Sequence, residues 1–239
     1  DGTIAICTSR GSMFQVPDRG GDPTILLAVD DGVELDFHQP AYVTDGGGFV
    51  YSVHRVQGVD TIELLRDGQR KILLRIEGKV RNNVQVVNNP VYSPSGHIVY
   101  QRDAGNRGLW ALPFDGHKGE VTGPPFLLSS NMGHPSVSLD GTMVYTLLRQ
   151  ANASQLVTVS REGQILETLT GIMQAVSYPA IAPDGNRIAY SARERQNADI
   201  YVLDRTTGIR NRLTMSNEEN SSPVWIPGTD RIAYTSPSG

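Results

Sequence analysis

One apolar strand recurs six times along the chain at near-constant spacing, and this periodicity constrains the fold more than any other feature. The first apolar residues of the copies are Ile4, Phe49, Ile98, Met143, Ile188 and Ile232, at intervals of 45, 49, 45, 45 and 44 residues. In five copies a proline, a short β-rich run and a turn come first, beginning at Pro40, Pro90, Pro135, Pro179 and Pro223. The opening Asp1-Gly-Thr-Ile4 reads as the second half of the same unit.

Each unit has the chemistry of a hairpin. Asp45-Gly46, Ser95-Gly96, Asp140-Gly141 and Asp184-Gly185 separate the two runs, and Pro227-Gly228-Thr229-Asp230 replaces them in the last copy. Glycine accepts the positive φ of a tight turn, and Asp or Ser can hold the turn backbone. The proline is expected at the start of the first strand, where a missing N–H costs little. A third strand is expected at Met13–Val16, Ile62–Leu65, Leu109–Leu112, Leu156–Val159 and Ile200–Leu203. A second turn follows at Asp67-Gly68, Asp115-Gly116, Glu162-Gly163 or Thr207-Gly208, and a fourth run comes after it, as at Ile25–Leu27, Ile72–Leu74 and Phe126–Leu128. Four antiparallel strands per repeat make a propeller blade, and no helical period competes. The expected fold is an all-β β-propeller in one domain, 1–239, with units at about 1–35, 36–85, 86–130, 131–174, 175–218 and 219–239.

Composition agrees. The chain is 38% hydrophobic and 19% charged, enough apolar material for a core. Its 25 glycines and 14 prolines are spread evenly, as turns would be. The net charge of −4 shows no basic stripe and argues against nucleic acid as a partner. The single cysteine, Cys7, excludes an internal disulfide and reads as a small core residue. No apolar run approaches the roughly 20 residues that span a bilayer, so no membrane insertion is expected in this segment. No signal peptide is visible. The chain starts inside a repeat unit, so its ends read as those of a fragment or mature product.

The run Pro179-Ala-Ile-Ala-Pro-Asp-Gly-Asn-Arg-Ile-Ala-Tyr-Ser191, followed by Ala198–Asp204 and Arg212-Leu-Thr214, resembles the TolB-like, WD-type repeat of bacterial six-bladed propellers. The likeness is good at 90–112 and 223–236 and weaker at 40–74, where Gly46-Gly47-Gly48 stands in the turn. Gly108–Asp115 with Glu120–Pro125 is similar to propellers attached to membrane-anchored bacterial serine/threonine kinases and to some winged-helix regulators, where the propeller senses or docks. No kinase glycine loop or catalytic Asp motif is present here. The resemblance implies an extracytoplasmic location, periplasmic or secreted. It also implies six blades, which need 24 strands. The repeat supplies 21; a five-bladed ring would use 20 and leave one over, whereas six blades with incomplete terminal ones are expected from the resemblance, and their open edges invite self-association.

In that family the residues before each repeat proline approach the channel mouth. Here they are His38-Gln39, Asn88-Asn89, Gly133-His134, Ser177-Tyr178 and Ser221-Ser222. The candidate ligand-binding set is therefore His38, Gln39, Asn88, Asn89, His134, Tyr178 and Ser222. These side chains would bind a polar ligand or a peptide end, or simply satisfy turn backbones. His38 and His134 are competent metal ligands, but no acidic residue sits at the matching positions, so neither metal nor cofactor is expected. Asp184 and its counterparts recur at turns and read as structural. His97 and His117 read as exposed turn residues. Trp225 and Tyr92, each two residues after a repeat proline, read as blade-to-blade packing. No Gly-x-Ser-x-Gly elbow or other catalytic constellation appears, so no enzyme is expected. The leading expectation is a non-enzymatic sensor or docking module for another protein or peptide. The alternatives are the accessory propeller of a prolyl-oligopeptidase-like serine peptidase and a metal-assisted carbohydrate-active propeller enzyme.

Overall fold

A computed structural model describes residues 2–7, 11–56, 58–77, 87–103, 106–148, 153–160, 164–194 and 196–237. The chain divides into two compact units, Asp1–Leu127 and Leu128–Gly239.

In the first unit, β1 (Thr3–Cys7), β2 (Met13–Pro17) and β3 (Thr24–Leu27) form a three-stranded sheet. Next come β4 (Glu34–Tyr42), β5 (Phe49–Arg55), β6 (Val59–Arg66) and β7 (Gln69–Glu77), a four-stranded sheet in sequence order. The third sheet holds β8 (Val87–Ser93), β9 (His97–Arg102) and β10 (Gly108–Asp115), with β11 (Glu120–Val121) and β12 (Phe126–Ser129) both paired to β10.

The second unit repeats the plan. β13 (Met132–Val137), β14 (Met143–Leu148), β15 (Ala153–Val159), β16 (Ile165–Thr168) and β17 (Met173–Gln174) make one sheet, with β17 on β15. β18 (Ser177–Ile181), β19 (Arg187–Arg193), β20 (Ala198–Asp204) and β21 (Arg210–Arg212) make the next. β22 (Ser221–Trp225) and β23 (Ile232–Thr235) form a two-stranded hairpin.

All pairings between named strands whose register is resolved are antiparallel. The described residues build five blades of three to five strands, not six. Among the described residues the last repeat unit contributes β22–β23. All six second strands are present, as β1, β5, β9, β14, β19 and β23. The two-residue strands β11 and β17 bring the total among described residues to 23. The turn expected at Glu162-Gly163 lies outside the described residues.

The turn chemistry is as expected. Gly46, Gly96, Gly141, Gly185 and Gly228 all have positive φ. The Asp140 carboxylate accepts the Thr142 N–H, and Asp184 accepts that of Asn186, each at 2.9 Å. These carboxylates hold turns.

The repeat prolines do not begin their strands. Each lies inside one, at a β-bulge. His38 pairs with Ser52 and Ala41 with Val50, so Gln39 and Pro40 together face the single residue Tyr51. The same two-against-one count sets Asn89-Pro90 opposite Tyr100, His134-Pro135 opposite Tyr145, Tyr178-Pro179 opposite Tyr190 and Ser222-Pro223 opposite Tyr234. A bulge leaves one position out of the ladder, so proline's missing donor is tolerated there. Four of the tyrosines are fully buried, and burial pushes the phenols of Tyr100, Tyr145 and Tyr190 up to about 12.

The core lies between the faces of successive blades. In the first unit, Met13, Phe37, Tyr51, Val53 and Leu65 form one buried cluster, with Cys7 packed against it. Val50, Ile62, Leu64, Tyr92, Ile98, Tyr100, Leu112 and Phe114 belong to another. In the second unit, Val144, Leu156, Ile181, Ile188, Tyr190, Tyr201 and Leu203 pack together. Cys7 is thus half-buried against the first of these clusters, its thiol pushed up to about 12 by burial first and by the Asp36 charge second, against the backbone of Gln39.

A polar knot crosses the first unit. Glu63, 1% exposed, accepts from Arg55 at 2.5 Å, from Arg70 at 2.8 Å and from Thr61 at 2.8 Å, and Arg70 also reaches Glu34 at 2.5 Å. Burial pushes the Glu63 carboxyl up, but hydrogen bonds from Arg55, Thr61 and Arg70 outweigh it and hold it below the ordinary carboxylate range.

Candidate functional site

The bulges dictate where the expected site residues stand. Gln39, Asn89, His134, Tyr178 and Ser222 adopt φ of 51°, 51°, 49°, 48° and 54°. They are five of the seven non-glycine residues with positive φ among the described residues. The left-handed region costs about 1–2 kcal/mol for a residue with a Cβ, and proline next in the chain disfavours the right-handed alternative. A bulge re-aims its side chain, and here one aim is repeated with five different side chains.

In the first unit these groups are tied into the scaffold. The Gln39 side-chain oxygen accepts the Asn89 backbone N–H at 2.7 Å, from one blade to the next. The Asn89 amide donates to Gln101 at 3.3 Å. The amide groups of Asn88 and Gln101 both donate to Asp103, at 2.7 and 2.6 Å. His38 belongs to a different group. Its Nε2 lies 3.1 Å from Asp36 Oδ1, and its ring centre is 4.9 Å from that of His54. Burial, ahead of the opposing pull of Asp36, holds the His38 imidazole below its ordinary value.

In the second unit the set is more open. The His134 and Tyr178 rings meet at 4.4 Å with a 59° tilt. Tyr178 is 36% exposed, a large ring at the surface, and Ser222 is also exposed. Trp225 and Tyr92 face neighbouring blades instead. Trp225 Nε1 donates to Ala180 O at 2.8 Å while Arg187 covers its ring, and Tyr92 donates to Asp45 at 2.5 Å.

His117 is exposed, but His97 is not a free turn residue. It is half-buried, with Nδ1 3.2 Å from Ser95 Oγ and its ring edge-on to Phe126 at 5.8 Å. Among the described residues no carboxylate hydrogen-bonds His97, so this Ser–His pair lacks the group that would orient a general base.

Sequence reasoning missed Asp36, Asp60 and His54. Asp36 stands two residues before His38 on β4, and His54 lies opposite Asp36 on β5. Asp36 Oδ1 is 2.8 Å from His54 Nδ1. The acidic partner absent from the positions before the prolines is supplied one strand step earlier. The pattern Asp-x-His was the available signal, since alternate residues of a strand share a face.

No protein-family model matches the sequence, and no curated protein matches it at a significant level. Solved structures do match. TolB from Acinetobacter baumannii superposes with a TM-score of 0.70 at 17% identity, over 98% of this chain and 61% of its own. The putative TolB from Agrobacterium tumefaciens gives 0.70 at 19% identity, over 95% of this chain and 78% of its own. An oligogalacturonate lyase in complex with manganese gives 0.63 at 13% identity, over 91% and 63%. The chain thus spans less than two thirds of the Acinetobacter protein. The fold is that of a TolB-like β-propeller.

Proposed function

We propose that this propeller is a non-enzymatic docking module that binds another protein or peptide, with His134, Tyr178 and Ser222 as the contact set of the second unit. One observation carries the reading. Five equivalent bulges hold the backbone in the same strained conformation, which glycine would fill at least cost, yet the chain places Gln, Asn, His, Tyr and Ser there. Where the backbone is fixed and side chains vary at an energetic cost, the side chains serve recognition. Tyr178 is the anchor, because an exposed aromatic ring held in place by a second ring offers large contact area with little entropy to lose.

The test places a photo-crosslinking phenylalanine analogue at Tyr178, at Ser222 and, as a control, at exposed Ile209 in the β20–β21 turn. Discrete polypeptide adducts at Tyr178 and Ser222 but not at Ile209 are expected. Adducts at Ile209 alone, or at none of the three, overturn the reading. The extracytoplasmic location implied by the resemblance belongs to this proposal. Among the described residues no helix is long and apolar enough to cross a membrane.

Self-association is part of the same proposal. Among the described residues β1 and β23 each pair on one side only, and Tyr234 on β23 is 48% exposed. An open edge is a template for a second copy. Sedimentation equilibrium should show a dimer that weakens when lysine replaces Tyr234; a monomer at all concentrations removes this element.

A further inference from the structure

Asp36 and His38 project from one face of β4, and the β4–β5 register puts His54 directly across from Asp36. One ligand atom from each of the three lies within 4.8 Å of the other two. Their side chains grade from the interior outward, His54 at 4% exposure, Asp36 at 12% and His38 at 20%. The group is therefore held from below and open to solvent on one side.

The hydrogen bonds of His54 set its chemistry. In the second unit a single hydroxyl, Ser154 Oγ, accepts the Val176 N–H at 2.9 Å and donates to the Val176 carbonyl at 3.0 Å. In the first unit two residues divide the same task. Asp60 accepts the Val87 N–H at 3.2 Å, and His54 Nε2 donates to the Val87 carbonyl at 3.1 Å. That bond commits a proton to Nε2. Nδ1, the other ring nitrogen, faces Asp36 Oδ1 at 2.8 Å, a distance that suits a ring N–H on the carboxylate or two ligand atoms around one ion. A ring whose outer N–H is fixed by a carbonyl, with a carboxylate 3.7 Å beyond, is the arrangement that orients a metal-ligating histidine.

We propose that Asp36, His38 and His54 bind a divalent first-row transition metal ion. Two imidazole nitrogens and one carboxylate oxygen select zinc and its neighbours over calcium or magnesium, which take oxygen ligands. Three protein donors leave a coordination position for water or for a group on a partner. This site is independent of the His134–Tyr178–Ser222 contact set, so either proposal stands if the other fails.

The test uses the full chain stripped with a chelator and titrated calorimetrically with zinc chloride, then with cobalt(II) as an absorbing probe. Uptake of about one equivalent, unaffected by excess magnesium, is expected, together with a rise in Tm on zinc addition. Asp36→Asn and His38→Ala should each weaken zinc binding by at least about tenfold, the lower end for disturbed metal sites. His117→Ala should leave it unchanged. His54→Ala is avoided, because it also releases the Val87 carbonyl. Absence of stoichiometric uptake by the unmodified chain overturns the proposal, since a proton then occupies the gap. So does uptake that survives both Asp36→Asn and His38→Ala.

Discussion

Tyr92 donates its phenolic hydrogen to the carboxylate of Asp45 at 2.5 Å, joining β8 of one blade to the β4–β5 turn of the blade before it. Burial first, then the Asp45 carboxylate, pushes this phenol above its ordinary value, so the hydroxyl remains a donor throughout the neutral range. Tyr92→Phe keeps the ring packed edge-on to Phe114 and removes only the bond. A hydrogen bond to a charged group contributes about 1.5–3 kcal/mol. The variant should lose roughly that much in urea denaturation, with an unchanged m-value.

Behind the same turn, Gly46 and Gly48 are fixed by close approach as well as by φ. A Cβ on Gly46 would stand 2.7 Å from the Gly116 carbonyl oxygen, and one on Gly48 2.5 Å from that of Leu65. Both neighbours are backbone and cannot swing away. Gly208 has a similar positive φ with nothing within 4 Å. Gly208→Ala should therefore cost only the left-handed penalty, about 1 kcal/mol. Gly46→Ala or Gly48→Ala should cost about 2–4 kcal/mol, since overpacking adds to it. Thermal denaturation of the three variants separates the two effects.

The Glu63 knot makes stability depend on acid. Its folded carboxyl lies below the ordinary value, so it stabilises the fold above about pH 4.3 and loses that contribution as pH falls through the folded value. Glu63→Gln leaves Arg55 and Arg70 with Glu34 as their only carboxylate in the knot and should cost about 2–3 kcal/mol at pH 7, somewhat less than a fully buried pair because both arginines are partly solvated. The gap between the two proteins in denaturation midpoint should be full near pH 7 and narrow as pH falls below the ordinary carboxylate range. Parallel curves would show that Glu63 does not carry the acid sensitivity.

The sequence discloses what repeats locally and hides what depends on pairing. The Asp-Gly turns and the six apolar strands are local, and they announce the blades. The position of Pro40 within β4 is not local, because a bulge is a count of residues on two strands at once, and only the register shows Gln39-Pro40 against Tyr51. The resemblance to six-bladed proteins also carried a blade number that the last unit, with β22–β23 alone, does not supply. Likewise Asp36 and His54 are 18 positions apart and meet only because β4 and β5 align them. Glu34 on β4 and Arg70 on β7 are 36 positions apart and meet only once β5 and β6 fold between them.

The bulge strain itself is measurable at Ser222. Its side chain is exposed and its φ is 54°, so replacement tests the backbone with little packing at stake. Glycine there removes the left-handed penalty of about 1–2 kcal/mol and adds about 0.5–1 kcal/mol of chain entropy to the unfolded state. Ser222→Gly should thus stabilise the protein by roughly 0.5 kcal/mol or more. Ser222→Val, β-branched and poorly suited to positive φ, should destabilise it by more than 1 kcal/mol, on the order of the left-handed cost. If the docking reading is right, the glycine variant is the more stable protein and the poorer binder, and crosslinking at Tyr178 should fall in it. A variant that gains stability and keeps full crosslinking would assign Ser222 to the scaffold and leave His134 and Tyr178 as the contact.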